Sequence, residues 1–311
     1  MKMVEYFLLL SALLCTPLCR AGADDIRLVF VGDVMLADRP GKLIRSGKDP
    51  FIHFGDFLRN ADLTIGNLEC VISSKGKAQD KPYTFRAPQR ALPLLKKYFS
   101  AVSLANNHSG DFGKTAFADM LSLLGKNEIA YFGSGHQLRE AHQPFIRDIK
   151  GKRIAILGYD GFFPRSFEAL DNSPGNAWLD EDYVVNGIRN AKEKLGADVV
   201  IVYPHWGWEY QKLASMRQQQ MAHLMIDSGA DAVIGGHPHV TQNIEIYKDK
   251  PIFYSLGNFV FDGFTDEHTR TGWGLRLILS TDGKLDWKII EARIDRSGVP
   301  HPGREFNRDY Q

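Results

Sequence analysis

The chain has 311 residues, of which 44% are hydrophobic and 24% are charged, and its formal net charge is +1. These values are typical of a folded globular protein and exclude a disordered chain, a collagen-like repeat and a multi-span membrane protein. A nearly neutral chain also lacks the global field that would hold nucleic acid or an anionic membrane. We therefore predict no nucleic-acid partner, and an anionic ligand would have to be bound by a local site.

The first 23 residues have the pattern of an export signal. Residues 6–18 form an apolar segment too short to span a bilayer comfortably, and small residues at 21–23 supply the pattern that precedes cleavage. We predict a signal peptide over 1–23 and one mature domain over 24–311, exported to the periplasm or the extracellular space, with membrane association left open. The alternative is an uncleaved N-terminal helix. Cleavage would leave Cys70 as the one cysteine of three, which excludes an intramolecular disulfide.

Short β-rich runs alternate with helical patterns along most of the chain. Each early strand is followed by a polar turn and then a helix, which is the order found in α/β proteins with parallel strands. The last strands are joined by short turns and predict an antiparallel continuation, while residues 73–86 predict a polar surface loop. The predicted strands are 26–31, 61–65, 101–104, 199–203, 232–234, 252–254, 275–280 and 285–294, and the predicted helices are 56–60, 88–98, 115–125, 181–195 and 216–228.

Five of the predicted strands are followed by side chains that could bind a metal ion. In α/β sheets, ligands bind beyond the carboxyl ends of the strands. An H-P-H turn, carboxylates and an Asn carbonyl form a mixed nitrogen and oxygen set that suits Zn²⁺, Mn²⁺ or Fe²⁺. The candidate residues are Asp33, Glu69, Asn107, His108, His205, His237 and His239.

Each of these residues also has an ordinary structural explanation. An Asp after a strand is often a helix N-cap, an Asn pair often shapes a turn, and a His beside a Trp can belong to a core. The turn formed by His237, Pro238 and His239 is the most informative element, because two histidines bracketing a rigid proline have little packing purpose. The joint occurrence of these residues at strand ends predicts a functional site, and specifically a metal site.

Six motifs follow one another along the chain: G-D-V-M-L at 32–36, G-N-L-E at 66–69, A-N-N-H-S-G-D-F-G at 105–113, H-W-G-W-E-Y at 205–210, G-G-H-P-H-V at 235–240 and S-L-G-N-F-V-F-D at 255–262. In this order they resemble the CapA/PgsA family, the capsule and poly-γ-glutamate synthesis proteins, which is similar in turn to the calcineurin-like metallophosphoesterases. The resemblance covers nearly the whole mature chain. It implies an α/β fold with two packed mixed β-sheets flanked by helices, a four-layer sandwich with the site at the strand ends.

The resemblance also implies roles for the candidate residues. His108 would be the general acid that protonates the leaving group. The other candidates would bind one or two divalent ions of Mn, Zn, Fe or Mg; these ligands are Asp33, Glu69, Asn107, His205, His237 and His239.

Two departures from the phosphoesterase pattern bear on the number of ions. The usual D-x-H is replaced by Asp33-Val34-Met35, and the usual G-D-x-x-[DN] is replaced by the sequence G-N-L-E at 66–69. Met35 removes one expected ligand, and Glu69 is a candidate replacement for another. A single ion and a binuclear centre therefore both remain open.

Three further residues are assigned roles beside simpler alternatives. Asp111 would orient the imidazole of His108, or it would cap the helix that follows. Arg86 would clamp a substrate carboxylate or phosphate, or it is a surface arginine. Asn258 would donate to the substrate, or it shapes a turn.

Two classes of function follow from these predictions. The first is a metal-dependent hydrolase or transferase of capsule or poly-γ-glutamate biosynthesis, which acts on an anionic envelope polymer or a phosphate ester. The second is a non-catalytic component that binds the polymer or other envelope polymer-synthesis subunits. The convergence of so many polar groups favours the first class, and the absence of the D-x-H histidine favours the second.

Overall fold

Sixteen strands and seven α-helices follow one another along residues 24–308, the part of the chain that the computed structural model describes. The predicted signal peptide over 1–23 lies outside the described residues. The strands are β1 (Ile26–Val34), β2 (Leu63–Leu68), β3 (Ala101–Ser103), β4 (Ala130–Phe132), β5 (Ser134–Gly135), β6 (Phe145–Ile149), β7 (Lys152–Asp160), β8 (Gly175–Asn176), β9 (Val199–His205), β10 (Ala232–Ile234), β11 (Ile244–Tyr247), β12 (Lys250–Phe253), β13 (Asn258–Val260), β14 (Thr271–Leu279), β15 (Leu285–Ile294) and β16 (Pro300–Asn307). The helices are α1 (Asp38–Arg45), α2 (Gly55–Arg59), α3 (Leu92–Tyr98), α4 (Gly113–Lys126), α5 (Leu138–Ala141), α6 (Glu181–Arg189) and α7 (Met216–Asp227).

The strands form two large mixed sheets and one small pair. The first sheet has the order β16-β15-β14-β1-β2-β3-β4, and β13 also pairs with β1. Strands β1 to β4 are parallel, whereas β14 to β16 continue the sheet in antiparallel fashion. The second sheet has the order β11-β12-β10-β9-β7-β6, with parallel strands in its centre and antiparallel edges. The antiparallel tail predicted from the sequence is therefore confirmed for β14 and β15, whereas the predicted strand over 252–254 is β12, which pairs in parallel with β10 in the second sheet.

An apolar core joins the two sheets face to face, and helices cover their outer faces. Phe30 of β1 packs near Tyr203 of β9 with ring centroids 6.1 Å apart, and the Tyr203 hydroxyl donates to the Val31 carbonyl at 2.5 Å. Both faces of β1 and β9 are buried, which explains their continuous apolar sequences. Helix α4 covers the first sheet and α7 covers the second. This order of helix, sheet, sheet and helix confirms the predicted four-layer architecture.

The structure corrects several predicted element boundaries. Strand β7 was missed, although its alternating Ile154 and Ile156 belong to the inter-sheet core and it pairs with β9 in the centre of the second sheet. The helix predicted over 181–195 ends as α6 at Arg189, and a π turn over Asn190–Lys194 follows it. Residues 73–86 contain neither helix nor extended strand, as predicted.

The pairing register brings the polar strand ends of both sheets together. In the first sheet, Asp33 of β1 lies beside Asn67 of β2. In the second sheet, His205 ends β9 and bridges to Gly236, directly before the H-P-H turn. Gly32 permits the tight backbone approach at this edge, since a Cβ there would lie 1.8 Å from the carbonyl oxygen of Gly257. The candidate site thus lies where the two sheets meet.

Candidate metal centre

Two buried carboxylates of the first sheet are joined by one carboxamide. The Nδ2 group of Asn67 donates to Asp33 Oδ1 at 2.8 Å and to Glu69 Oε2 at 3.2 Å. The same nitrogen lies 3.2 Å from His205 Nδ1. Asn67 Oδ1 accepts in turn from Asn106 Nδ2 at 2.8 Å, and all of these side chains are buried. The hydrogen bonds of Asn67 and Asn106 therefore fix the orientation of the acidic side chains.

Three potential ligand atoms meet on the side of the second sheet. His205 Nε2 lies 2.8 Å from Asn107 Oδ1 and 3.1 Å from His237 Nδ1. Ligand atoms that share one ion are roughly 3 Å apart, because metal–ligand bonds of this kind are about 2.1 Å long. Asn107, His205 and His237 therefore have the spacing of a shared metal position, as the resemblance implied.

His239 faces the carboxylate of Glu69. Asn258 uses its Nδ2 to donate to the carbonyls of His239 and Thr269, so its Oδ1 accepts from His239 Nδ1 at 2.9 Å. The lone pair of this imidazole is therefore on Nε2, which lies 3.8 Å from Glu69 Oε1. Glu69 Oε1 is buried and has no hydrogen-bond partner among the described residues. Two acceptors facing each other across this gap leave a position suited to a cation.

The H-P-H turn is held in an unusual backbone conformation. His237 has a φ of 96° and His239 has a φ of 57°, a region that side-chain-bearing residues rarely adopt. Such conformations cost on the order of 1–3 kcal/mol each and persist where the surrounding structure imposes them. Phe162 packs on His237 with ring centroids 4.0 Å apart, and Phe264 packs 5.2 Å from His239. The turn thus directs the His239 imidazole toward Glu69 and the His237 imidazole toward His205.

Burial sets the protonation of this cluster. Burial raises the pKa of Asp33, although the nearby His239 opposes the shift. Burial and the neighbouring Asp33 carboxylate together raise the pKa of Glu69 well above its usual value. Burial, assisted by neighbouring imidazoles, lowers the pKa of His205 and of His237 well below the usual value. Neutral imidazoles are the form that binds metals, and a bound cation would favour the ionised form of the buried carboxylates.

The donor set fits a divalent ion. One ligand atom each from Asp33, Glu69 and His205 lie within 4.8 Å of one another. His237 Nε2 and Glu69 Oε1 are buried without a hydrogen-bond partner among residues 24–308. A mixed set of imidazole, amide and carboxylate ligands suits Zn, Mn, Fe or Mg, and it does not select among them.

His108 is held beside the acidic cluster by Asp111. Its Nδ1 lies 2.9 Å from Asp111 Oδ2, and its Nε2 lies 3.8 Å from Glu69 Oε1. Burial lowers the pKa of His108, against the opposing effect of Asp111. Helix α4 has Phe112, and not Asp111, at its N-cap position, so the alternative role of Asp111 as a cap is not observed.

Two candidates for substrate binding are engaged in contacts of their own. The Arg86 guanidinium donates to the carbonyls of Lys75 and Gly76 at 2.9 and 3.0 Å and stacks over Phe112 at 3.8 Å. Asn258 is fully buried by its contacts to His239 and Thr269. Substrate binding by either residue stays a prediction, and both have a structural role here.

Sequence reasoning missed Asn67, Asn106 and Lys81. Asn67 was noted only as a departure from a phosphoesterase motif, and Asn106 only as part of a turn. Lys81 belongs to the polar 73–86 segment, yet its ammonium lies 2.7 Å from Asp111 Oδ1. The two Asn residues follow strands within motifs, which could have identified them, whereas no local pattern indicates the contact of Lys81.

The comparisons with known proteins identify the family. Residues 27–263 match the family model described as "Bacterial capsule synthesis protein PGA_cap". The chain belongs to this capsule synthesis protein family. It is 34% identical over 289 residues to "Capsule biosynthesis protein CapA" of Bacillus anthracis, which covers 90% of this chain and 70% of that protein. It is also 34% identical over 254 residues to "PGA biosynthesis protein CapA" of Bacillus subtilis (strain 168), covering 79% of this chain and 66% of that protein.

These matches confirm the resemblance to the CapA/PgsA family. The structure is also similar to the NAD nucleotidase NadN of Haemophilus influenzae, with a TM-score of 0.48 and 12% identity over 91% of this chain and 50% of that one. A superposition this loose transfers neither ligands nor activity. The candidate metal site of this PGA_cap protein therefore rests on the arrangement of its own side chains.

Proposed function

We propose that this PGA_cap protein is a metal-dependent hydrolase or transferase of capsule or poly-γ-glutamate biosynthesis, and that its substrate is an anionic envelope polymer or a phosphate ester. The observation that carries the proposal is the close approach of Asn107 Oδ1, His205 Nε2 and His237 Nδ1, at 2.8 and 3.1 Å. The buried carboxylates of Asp33 and Glu69 supply the negative charge beside them. A purely structural cluster would not need three potential ligand atoms directed at one point.

The chain's own residues divide the work of the reaction. A bound divalent ion supplies Lewis-acid polarisation of a carbonyl or phosphoryl oxygen and lowers the pKa of its water. His108 carries a proton at the mouth of the centre, since its Nδ1 is held by Asp111 and its Nε2 is directed toward the acidic cluster. Protonated Nε2 donates to the leaving group. Phe162 and Phe264 shield the two imidazoles of the H-P-H turn from water.

The space for a substrate lies beside Phe162. A cavity of about 600 Å³ is lined by Phe162, Phe163, Trp178, Trp208 and the helix α7 residue Arg217, among others. Phe163 and Trp208 are 68% and 65% exposed, so they present open aromatic surface in this cavity. A ligand held in this cavity would reach the proposed metal centre past Phe162, whose ring packs on His237.

The second candidate function is a non-catalytic component that binds the polymer or other synthesis subunits. Met35 favours it, because this residue occupies the place of the D-x-H histidine and is buried in the apolar core. Loss of one ligand weakens a binuclear centre, and a site of this kind can bind without turnover. Metal binding and catalysis therefore need separate tests.

We propose that the chain acts at the cell envelope, after export directed by residues 1–23. The support is the naming of its relatives as capsule and poly-γ-glutamate biosynthesis proteins. None of the helices in the described part of the chain has both the length and the apolar character needed to cross a membrane.

Metal content of the purified full chain tests the proposal. Elemental analysis would be carried out on the wild type and on the variants Asn107→Ala and His237→Ala. The variant His136→Ala, at an exposed histidine, would be the matched control. Phosphodiester, phosphomonoester and γ-glutamyl amide substrates would be assayed with added Mn²⁺, Zn²⁺ and Mg²⁺. We expect near-stoichiometric metal in the wild type and the control, and a loss of at least 10-fold in affinity for the other two variants.

The outcomes separate the two functions. Stoichiometric metal with turnover that both site variants lose supports the enzyme. Metal without turnover of any substrate class favours the binding component. A folded chain that retains no metal under any loading condition would refute the metal centre itself.

A further inference from the structure

We propose that Lys81 is a positioning residue for the proton-carrying His108, an inference that rests on the proposed function. The 73–86 segment carries Lys81 to the metal centre, where its ammonium contacts both the Asp111 side chain and the Asn107 backbone. One side chain thereby connects the residue that orients His108 with the residue that supplies an amide ligand.

Asp111 depends on Lys81 for one of its two oxygens. This carboxylate is fully buried, and its Oδ1 accepts from Lys81 Nζ at 2.7 Å. Its Oδ2 is occupied by the backbone N–H of Phe85 at 2.6 Å and by His108 Nδ1 at 2.9 Å. Removing one partner of a buried charge pair leaves the other charge without compensation, which is costly. Without Lys81 the carboxylate would turn away from His108.

The second contact of Lys81 reaches the metal ligands. Its Nζ donates at 2.9 Å to the Asn107 carbonyl, which belongs to the peptide bond that joins Asn107 to His108. The Asn107 side chain lies 2.8 Å from His205 Nε2. Lys81 therefore fixes the peptide between the amide ligand and the imidazole, in addition to fixing the carboxylate behind that imidazole.

The surrounding segment is built to deliver this lysine. The backbone N–H of Gln79 donates to the Asp111 carbonyl at 2.9 Å, and the Phe85 ring packs on His108 with centroids 4.4 Å apart. The Lys81 side chain is 29% exposed, so its ammonium is partly withdrawn from water. The two anchors, at Gln79 and Phe85 on either side of it, distinguish Lys81 from an ordinary surface lysine.

The role of Lys81 is to keep Asp111 as an acceptor facing His108 Nδ1. With Nδ1–H donating to that carboxylate, Nε2 is the nitrogen that exchanges a proton with a ligand. A carboxylate that loses this orientation no longer selects the tautomer, and wrong-tautomer variants of comparable dyads lose much of their rate. The expected defect is therefore in the reaction step and not in ligand binding.

The test compares three variants of the full chain. Lys81→Met removes the charge, Lys81→Arg retains it, and Lys77→Met is the matched control in the same segment, at an exposed lysine. The ring nitrogens of ¹⁵N-labelled histidine would be followed by NMR with bound Zn²⁺ and in EDTA, with His108→Gln used for assignment. Metal content, kcat and KM for a phosphodiester would be measured in parallel.

We expect Lys81→Met to lose the single-tautomer NMR pattern of His108 and to reduce kcat by about 10- to 100-fold, with KM within about 2-fold and the metal content unchanged. Lys81→Arg should recover part of the kcat and of the NMR pattern, and Lys77→Met should match the wild type. If Lys81→Met fails to fold, Lys81→Gln takes its place.

An unchanged His108 NMR pattern in Lys81→Met would overturn the proposal, as would loss of the bound metal in that variant, since Lys81 would then support only the ligands. The NMR comparison does not require turnover. If the wild type turned over no substrate, with or without bound metal, that result would count against the proposed function. The NMR pattern of His108 would still decide the role of Lys81.

Discussion

The two sheets hold their shares of the proposed metal centre in different ways. On the first sheet, the oxygen donors are joined by side-chain hydrogen bonds, with Asn67 linking Asp33 to Glu69 and receiving a bond from Asn106. On the second sheet, the H-P-H turn sets His237 and His239 through positive backbone φ angles. Oxygen donors are thus positioned by one another, and nitrogen donors by the main chain.

We call the hydrogen-bonded side chains of the first sheet the oxygen half and the H-P-H turn of the second sheet the nitrogen half. The difference between them predicts how each responds to substitution. A network of buried polar groups fails as a unit, because removing one member leaves its partners unsatisfied. A turn fixed by its backbone tolerates the loss of one side-chain contact, since the rest of the geometry persists. We therefore expect substitutions in the oxygen half to lower global stability, and substitutions in the nitrogen half to lower metal affinity.

Asn67→Asp should have the largest effect. It places a third carboxylate against Asp33 and Glu69, at positions where the amide now donates at 2.8 and 3.2 Å. In EDTA, we expect a loss of about 2–4 kcal/mol in the free energy of unfolding, because buried like charges lack compensation. Saturating Mn²⁺ should recover much of this loss. Urea denaturation in both conditions measures the effect.

The matched control for that variant is Asn186→Asp, at an exposed position on helix α6. Its free energy of unfolding should change by no more than about 0.5 kcal/mol, with or without Mn²⁺. Equal destabilisation of both variants, or a deficit at Asn67 that Mn²⁺ leaves untouched, would contradict the cooperative description of the oxygen half.

Asn258→Ala tests the nitrogen half. It removes the acceptor that holds His239 Nδ1 at 2.9 Å, while the backbone of the turn remains. Partners of metal-binding histidines typically contribute 10- to 100-fold in metal affinity, so we expect a decrease of about that size in a chelator-competition titration. Asn258→Asp keeps an acceptor and should retain affinity within about 10-fold of the wild type. Equal losses in the two variants would show that the acceptor is not what matters.

The sequence predicted the strand ends well and the connections between them poorly. Asp33, His205 and His237 were found because each follows a β-rich run, and the carboxyl ends of such strands meet at one edge. Strand β7 was overlooked despite its alternating apolar residues, so the centre of the second sheet was incomplete. Local patterns identify which residues reach an edge, whereas the distance between two sheets depends on how they pack.

The missed residues share a physical cause. Asn67 acts through its contacts with Asp33 and Asn106, which are 34 and 39 residues away in sequence and lie on or beside other strands. Lys81 acts across a segment with no regular structure, which carries no periodic signal. A residue type predicts what a side chain can do, but the partner that it meets is a property of the tertiary structure.

A half-buried histidine outside the candidate metal site, whose two ring nitrogens are buried, provides a comparison for the imidazoles of that site. His142 lies against Tyr183, with ring centroids 4.3 Å apart, and neither of its ring nitrogens has a hydrogen-bond partner among residues 24–308. Burial lowers its pKa to about 4. Between that value and the ordinary value near 6.5, the unfolded chain binds more protons than the folded one, so stability falls as the pH is lowered.

His142→Phe should remove this part of the pH dependence. The wild type should lose about 1–2 kcal/mol more than the variant between pH 7.5 and pH 5, measured by urea denaturation in EDTA. His136→Phe, at an exposed histidine, should keep the wild-type slope. If the His142 variant kept that slope as well, the acid sensitivity would have to come from the imidazoles of the metal centre. His142 would then make no contribution to the acid sensitivity, contrary to what the burial of its unpartnered ring nitrogens predicts.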